Sequence, residues 1–173
     1  MSGTDVVPVA ERRTPLLLAV YGTLRRGCRN AGLLAGADAV VDGAVAGTLH
    51  EVASPLGQRA YSYPLLVLEP PAGSLADHPG DHPADRGGRA GGRVRVEVYR
   101  VLEPRMLAAL DELEAYDPDD PAGSEYVRVV VPLLDAGPDA PVEVQVYVHA
   151  GTADGRGPVL LGGDWFVHAG DQA

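Results

Sequence analysis

The chain is short of several things at once. Its 173 residues include one Cys, one Trp, one Phe and two Met, and all fourteen basic residues are arginine. A single cysteine leaves no partner for an intrachain disulfide, and the five His fall without zinc-ligand spacing. No apolar run approaches the ~18 residues that a membrane-spanning helix requires. Residues 1–15 include Asp5, Glu11, Arg12 and Arg13 with no long apolar core, so they do not read as a secretory signal. Positive charge is scarce as well: 24 acidic residues against 14 basic ones give a formal net charge of −10. That balance disfavours nucleic acid or an anionic membrane surface as the principal partner. The expectation that remains is a soluble, cytoplasmic, metal-free domain.

Glycine (22) and proline (15) are plentiful instead, which argues against a helical bundle and for short strands joined by turns. Leu16–Tyr21 is a continuous apolar run stopped by Gly22, the pattern of a buried strand. Val40–Val52, rich in β-branched residues and interrupted by Gly43 and Gly47, reads as strand, kink, strand. Tyr61–Leu68 is a further strand, with Pro64 near its start where an edge or first position tolerates proline. Arg93–Val101 alternates, placing Val94, Val96 and Val98 on one face. Pro104 opens a helix through Met106, Leu107, Leu110 and Leu113 at helical spacing, and Pro118 and Pro121 stop it near Ala115–Tyr116. Tyr126–Leu134 and Val142–Val148 are two more strands with a hairpin-like connection. Arg29–Ala35 suits one or two helical turns with Leu33 and Leu34 inward, and Trp165 and Phe166 read as packing anchors. The fold expected is α+β: a small mixed β-barrel or strongly curled sheet of about six strands with one main helix. Residues 1–14 read as a flexible N-terminal arm, 15–168 as a single domain carrying a Gly/Pro-rich loop insertion at 70–92, and 169–173 as a C-terminal tail.

Three segments hold residues that chemistry could use. Tyr21-Gly22-Thr23-Leu24-Arg25-Arg26-Gly27 leaves a strand through Gly and Thr, so successive backbone N–H groups can form an anion-holding nest. It lacks the Walker and dinucleotide patterns, and alone it reads more simply as a strand-to-turn exit. In Leu110–Tyr116, helical spacing sets Leu110, Leu113 and Glu114 on one side and turns Asp111 and Glu112 toward solvent. Glu114 then stands beside the apolar stripe at a helix C-terminus, where the macrodipole disfavours its charged form, as suits a general base. The plain alternative is an acidic surface helix end. In the third segment, Ser124–Val129, Tyr126 and Arg128 share one face of a valine-rich strand, which cross-strand packing and snorkelling also explain. Arg25 and Arg26 read as a solvated turn. Cys28 has no identifiable His partner for thiol chemistry, and His78 and His82 sit in a Gly/Pro loop with no helix to align them on a metal.

Taken together and in this order, the three segments resemble the γ-glutamylcyclotransferase-like superfamily, and within it the branch of γ-glutamylamine cyclotransferase and the butirosin-biosynthesis cyclotransferase. Tyr63-Pro64-Leu65-Leu66-Val67-Leu68, the Tyr116-x-Pro118 turn, Val146-Tyr147-Val148 and Gly163-Asp164-Trp165 are similar to that family too, in an ordered match from about Leu16 to Trp165. Ala115 stands where the family usually has Gly, and the 70–92 insertion is extra length. The resemblance implies an amide-cleaving enzyme of lyase or acyl-transfer type that converts a γ-glutamyl amide into 5-oxoproline and a free amine. In such an enzyme the substrate's own α-amine attacks its γ-carbonyl, with no cofactor and no metal. The partner implied is a small γ-glutamyl amine or γ-glutamyl amino acid. Glu114 is implied as base and then acid, the Gly22, Thr23 and Leu24 amides beside Tyr21 as the anion grip, and Tyr126 and Tyr147 as pocket lining. Two alternatives use the same pocket: a repurposed relative with different lactam or amide chemistry, and a non-catalytic binder of a small zwitterionic ligand.

Overall fold

The computed structural model describes residues 15–52, 61–68, 92–150 and 157–170. The arm expected at 1–14, the insertion expected at 70–92 apart from Gly92, with its His78 and His82, and residues 171–173 of the expected tail lie outside the described residues.

Seven strands follow one another along the chain: β1 (Leu16–Val20), β2 (Asp38–Ala46), β3 (Thr48–Val52), β4 (Tyr63–Val67), β5 (Arg93–Val101), β6 (Tyr126–Pro132) and β7 (Glu143–His149). The main helix, α1, covers Pro104–Leu113, and a short one, α2, covers Trp165–Gly170. Five strands form one sheet in the order β2-β5-β1-β7-β6, while β3 and β4 pair separately. The sheet is mixed, because β1 runs parallel to β7 and antiparallel to β5. The segment expected as strand, kink, strand divides at Gly47 into β2 and β3, and β2 carries an irregularity between Ala39 and Val41. Trp165 is buried as expected, but Phe166 is half exposed, because a helix as short as α2 turns only one aromatic inward. Ala169 and Gly170, expected in a tail, belong to α2.

Strand alternation divides the interior in two. Ala19, Val45, Val94, Val96, Val98, Val131, Val144 and Val146 pack together, and residues of the opposite parity, Leu18, Val20, Tyr99, Val101, Tyr126 and Tyr147, pack against Leu34 and Leu110. The first group lies within the curl: Val45 and Val131 come from the two edge strands, and only a concave face lets them share a cluster. The curl brings those edges close enough for Ala44 to exchange both backbone hydrogen bonds with Leu134, each at 2.8 Å. The sheet is curled rather than closed. Helix α1 covers its outer face through Leu110, with Met106, Leu107 and Leu113 packed around it. No helix among the described residues is long and apolar enough to cross a membrane.

The end of α1 is set by hydrogen bonds rather than by proline alone. Glu114 is the C-cap, and the Ala115 N–H donates to the Glu112 carbonyl at 3.2 Å while the Tyr116 N–H donates to the Asp111 carbonyl at 2.9 Å. That pair of bonds is a Schellman motif, which places Ala115 in the left-handed region at φ 47°. There an alanine Cβ crowds its own backbone, at a cost of roughly 1–2 kcal/mol that glycine escapes, less what glycine loses in chain entropy. Ala115→Gly is therefore expected to raise the unfolding free energy by about 0.5–1 kcal/mol, read as a higher urea midpoint at unchanged slope. A midpoint at or below that of the parent protein would show that Ala115 carries no strain.

Candidate active site

The middle strand of the sheet sets the position of everything around it. The β1–β7 pairing joins Ala19 to Val146, so Tyr147 comes level with Val20 on the helix-facing side. Beyond Val20 the chain folds tightly: the Arg25 N–H donates to the Gly22 carbonyl at 3.0 Å and the Asn30 N–H to the Thr23 carbonyl at 2.8 Å. Asn30 Nδ2 donates to Thr23 Oγ1 at 2.9 Å and to the Tyr61 hydroxyl at 3.1 Å. Among the described residues, the N–H groups of Gly22, Thr23 and Leu24 have no acceptor. Gly22 is required by close approach, since a Cβ there would run into the Pro64 ring of β4.

These pieces enclose a cavity of about 340 Å³, its open mouth included, lined by Ala19, Val20, Tyr21, Gly22, Thr23 and Leu24 with Pro64, Glu114 and Tyr147. Glu114 reaches it from the C-cap of α1 and is 9% exposed. The Tyr147 hydroxyl donates to Asp111 Oδ1 at 2.5 Å and accepts from Arg128 at 3.1 Å, and Arg128 also donates to that Asp111 oxygen at 2.6 Å. Burial, then the bond to Asp111, push the Tyr147 phenol far above its ordinary value, against the opposing pull of Arg128. Tyr147 is thus a neutral phenol at physiological pH.

Of the residues singled out in the sequence, Tyr21, Gly22, Thr23, Leu24, Glu114 and Tyr147 meet on this cavity. Tyr126 does not. It is 1% exposed, its hydroxyl donates to the Pro64 carbonyl at 3.4 Å and its ring meets His149 edge-on, so it stands behind the Pro64 wall. Asp111 was expected toward solvent; it is instead turned inward, where its Oδ1 accepts from both Arg128 and Tyr147. Arg25 was expected in a solvated turn, yet its side chain is only 13% exposed, held between Asp164 at 2.5 Å and Glu97 at 3.4 Å. Arg26 keeps its side chain at the surface, where it pairs with Asp42.

Sequence reasoning missed Glu97, which lies buried on β5. Its oxygens accept the Arg26 backbone N–H at 2.9 Å and the Tyr99 hydroxyl at 2.9 Å, in addition to the Arg25 contact. Burial works to raise the Glu97 carboxyl, but the Arg26 N–H, the Tyr99 hydroxyl and the charges of Arg26 and Arg25 outweigh it and hold the group below its ordinary value. Tyr99 is pushed up to about 12, first by burial and then by its bond to Glu97. The available signal was a lone carboxylate amid the valines of an alternating strand, on the face that also carries Tyr99.

The family profile described as Gamma-glutamyl cyclotransferase, AIG2-like matches residues 18–167. No curated protein matches the sequence. Among solved structures, an uncharacterized protein from Pyrococcus horikoshii is similar with a TM-score of 0.57 at 18% identity, over 91% of this chain and 95% of that one. An AIG2-like protein from Mus musculus is similar with a TM-score of 0.50 at 24% identity, over 82% of each chain. The Kluyveromyces lactis allophanate hydrolase reaches a TM-score of 0.59 at 14% identity, over 92% of this chain but 22% of that much longer one. These structural likenesses speak for the fold.

The Glu97 hold has a pH signature. A carboxyl held below its ordinary value in the folded protein contributes stability that is present above the unfolded value, about 4.3, and is lost as pH falls through the folded one. Glu97→Gln is therefore expected to melt at a lower temperature than the parent protein at pH 7, with the two melting temperatures converging below about pH 4. A gap that stays constant from neutral to acid pH would mean that the charge of Glu97 is not what secures the loop.

Proposed function

The chain belongs to the gamma-glutamyl cyclotransferase, AIG2-like family, and on that premise we propose that it cleaves the γ-glutamyl amide of a small amine, releasing 5-oxoproline and the free amine. The observation that carries this reading is the position of Glu114, almost enclosed, on the same cavity as the Gly22–Leu24 amides. A carboxylate on the same cavity as N–H groups that have no acceptor among the described residues suits a zwitterionic glutamyl head: donors for its carboxylate or a developing oxyanion, an acceptor and base for its ammonium.

The chemistry asks for little more. The reacting groups belong to one molecule, so holding it folded draws on an effective molarity of order 10⁵–10⁸ M. Glu114 takes a proton from the α-ammonium, and the freed lone pair attacks the γ-carbonyl carbon to form the new C–N bond of the five-membered ring. The carbonyl oxygen becomes an oxyanion, where preorganised N–H groups contribute most because they need not reorient. The intermediate collapses by breaking the bond to the amine nitrogen, which Glu114 protonates as it leaves; Glu114 then takes the second proton from the ring nitrogen and passes it to the freed amine. Overall the α-nitrogen gives up two protons and the departing nitrogen gains two, so atoms and charge balance without water. The neutral Tyr147 phenol takes no part in these proton transfers.

Glu114→Gln keeps the shape and hydrogen-bonding capacity of the side chain but cannot carry a proton. It is expected to lower kcat for 5-oxoproline release by roughly 10²–10⁴-fold, measured by chromatography across a panel of γ-glutamyl amines and γ-glutamyl dipeptides. Turnover by the variant at the parent rate would sink the assignment, as would a panel from which the unaltered protein releases no 5-oxoproline.

A further inference from the structure

Against the wall of the cavity lies a compact constellation that the proton transfers do not use. Arg128 of β6 is paired in register with Tyr147 of β7, and Asp111 reaches both from α1. The Arg128 and Asp111 side chains are 13% and 15% exposed, and the guanidinium carbon lies 5.3 Å from the Tyr116 ring centre and 5.6 Å from that of Tyr147. Every group of the trio is thus held from more than one side.

The directions of these bonds follow from chemistry. An ionised carboxylate only accepts and a guanidinium only donates. The single proton of Tyr147 is therefore committed to Asp111, and one of its lone pairs to Arg128. What the oxygen has left is an acceptor. Asp111 and Glu114 stand three apart on the helix, with Cβ atoms about 5–6 Å apart, so a phenol bonded to Asp111 lies within a helical turn of Glu114. At the Thr23 part of the lining the polarity is reversed. Thr23 Oγ1 accepts from Asn30, which leaves its own proton as a donor beside the Gly22–Leu24 amides. The lining therefore offers both donors and an acceptor.

We propose that Asp111 and Arg128 are positioning residues that fix the Tyr147 hydroxyl as a hydrogen-bond acceptor for the substrate's α-ammonium, so that the cavity selects amides bearing a free α-amine. This rests on the reading of the cavity as a γ-glutamyl site. The Arg128 charge does not repel the ammonium, because Asp111 neutralises it at 2.6 Å.

The test compares the unaltered protein with Tyr147→Phe, Asp111→Asn and the double variant. Asparagine offers N–H as well as oxygen, so it releases the phenol to point its proton into the cavity. Two probes are used: a γ-glutamyl amine that the protein turns over, and its des-amino analogue, a monoamide of glutaric acid that cannot cyclise. Each single variant is expected to raise KM for the γ-glutamyl amine by about ten- to a hundredfold, the loss of one hydrogen bond to a charged group. Calorimetric binding of the des-amino analogue is expected to change by no more than about twofold, and the double variant to be no worse than Tyr147→Phe alone, because Asp111 acts through the phenol. Effects that multiply in the double variant overturn the proposal, and so does an equal loss of binding for the analogue. Should Asp111→Asn not fold, Tyr147→Phe still decides: KM must rise while binding of the analogue stays. Should the unaltered protein release no 5-oxoproline, the proposed function fails separately. The binding arm then still reads the phenol, since the amide with the ammonium must outbind its analogue on the unaltered protein and lose that advantage on Tyr147→Phe.

Discussion

A carboxylate buried in the middle of a sheet is the constraint on which the cavity depends. Glu97 sits between Val20 and Asp42 in the strand register, a place where an unpaired charge would be heavily destabilising. It is tolerated because a backbone N–H, a phenol and two arginines converge on it. One of those donors is the Arg26 amide, so the path of the chain just beyond Leu24 is fixed from below, and with it the direction of the preceding amides. Arg25 extends the hold to Asp164, whose side chain also accepts the Phe166 N–H at the start of α2. Loop, sheet and the last helix are thereby parts of one electrostatic arrangement.

What the sequence made legible was local. Strand β5 declared itself by alternation, α1 by its spacing and its opening proline, and β6 and β7 by a short polar connection between valine-rich runs. The Gly22 stop after an apolar run and the spacing of Glu114 to Leu110 were visible for the same reason: each is a relation between near neighbours. The inward turn of Asp111 and the burial of Arg25 were not visible, because their partners lie far along the chain. Arg25 meets Glu97 from 72 residues away and Asp164 from 139. Such pairings depend on strand order and register, which periodicity does not carry. Tyr126 shows the same limit from the other side. Its parity assigns it to the helix-facing side, but only the packing of β4 against that side brings the Pro64 carbonyl to its hydroxyl.

Helix α1 delivers two carboxylates to neighbouring places and gives them different surroundings. Asp111 meets a guanidinium and a phenol, and its charge is fully engaged in holding them. Glu114, one turn later, meets the carbonyl end of the helix and the cavity. The turn at Ala115 is what separates them from the loop that follows: its carbonyl accepts the Glu125 N–H at 3.0 Å, which anchors the helix end to the start of β6. The left-handed residue is therefore tied at the one place where a shift would move Glu114.

The central position of β1 has a further consequence, for what the cavity requires of the fold. β3 with β4, and β6 with β7, are antiparallel pairs of strands close along the chain. β1 has no such neighbour: Leu16 pairs with Val101 and Ala19 with Val146. Closing loops of that length costs more chain entropy than closing either hairpin. Without β1 in its place there is no cavity, since Val20, Pro64, Glu114 and Tyr147 line it together only in the complete fold. A ligand that fills that space stabilises the whole fold rather than one loop, and its binding reports that folding has finished.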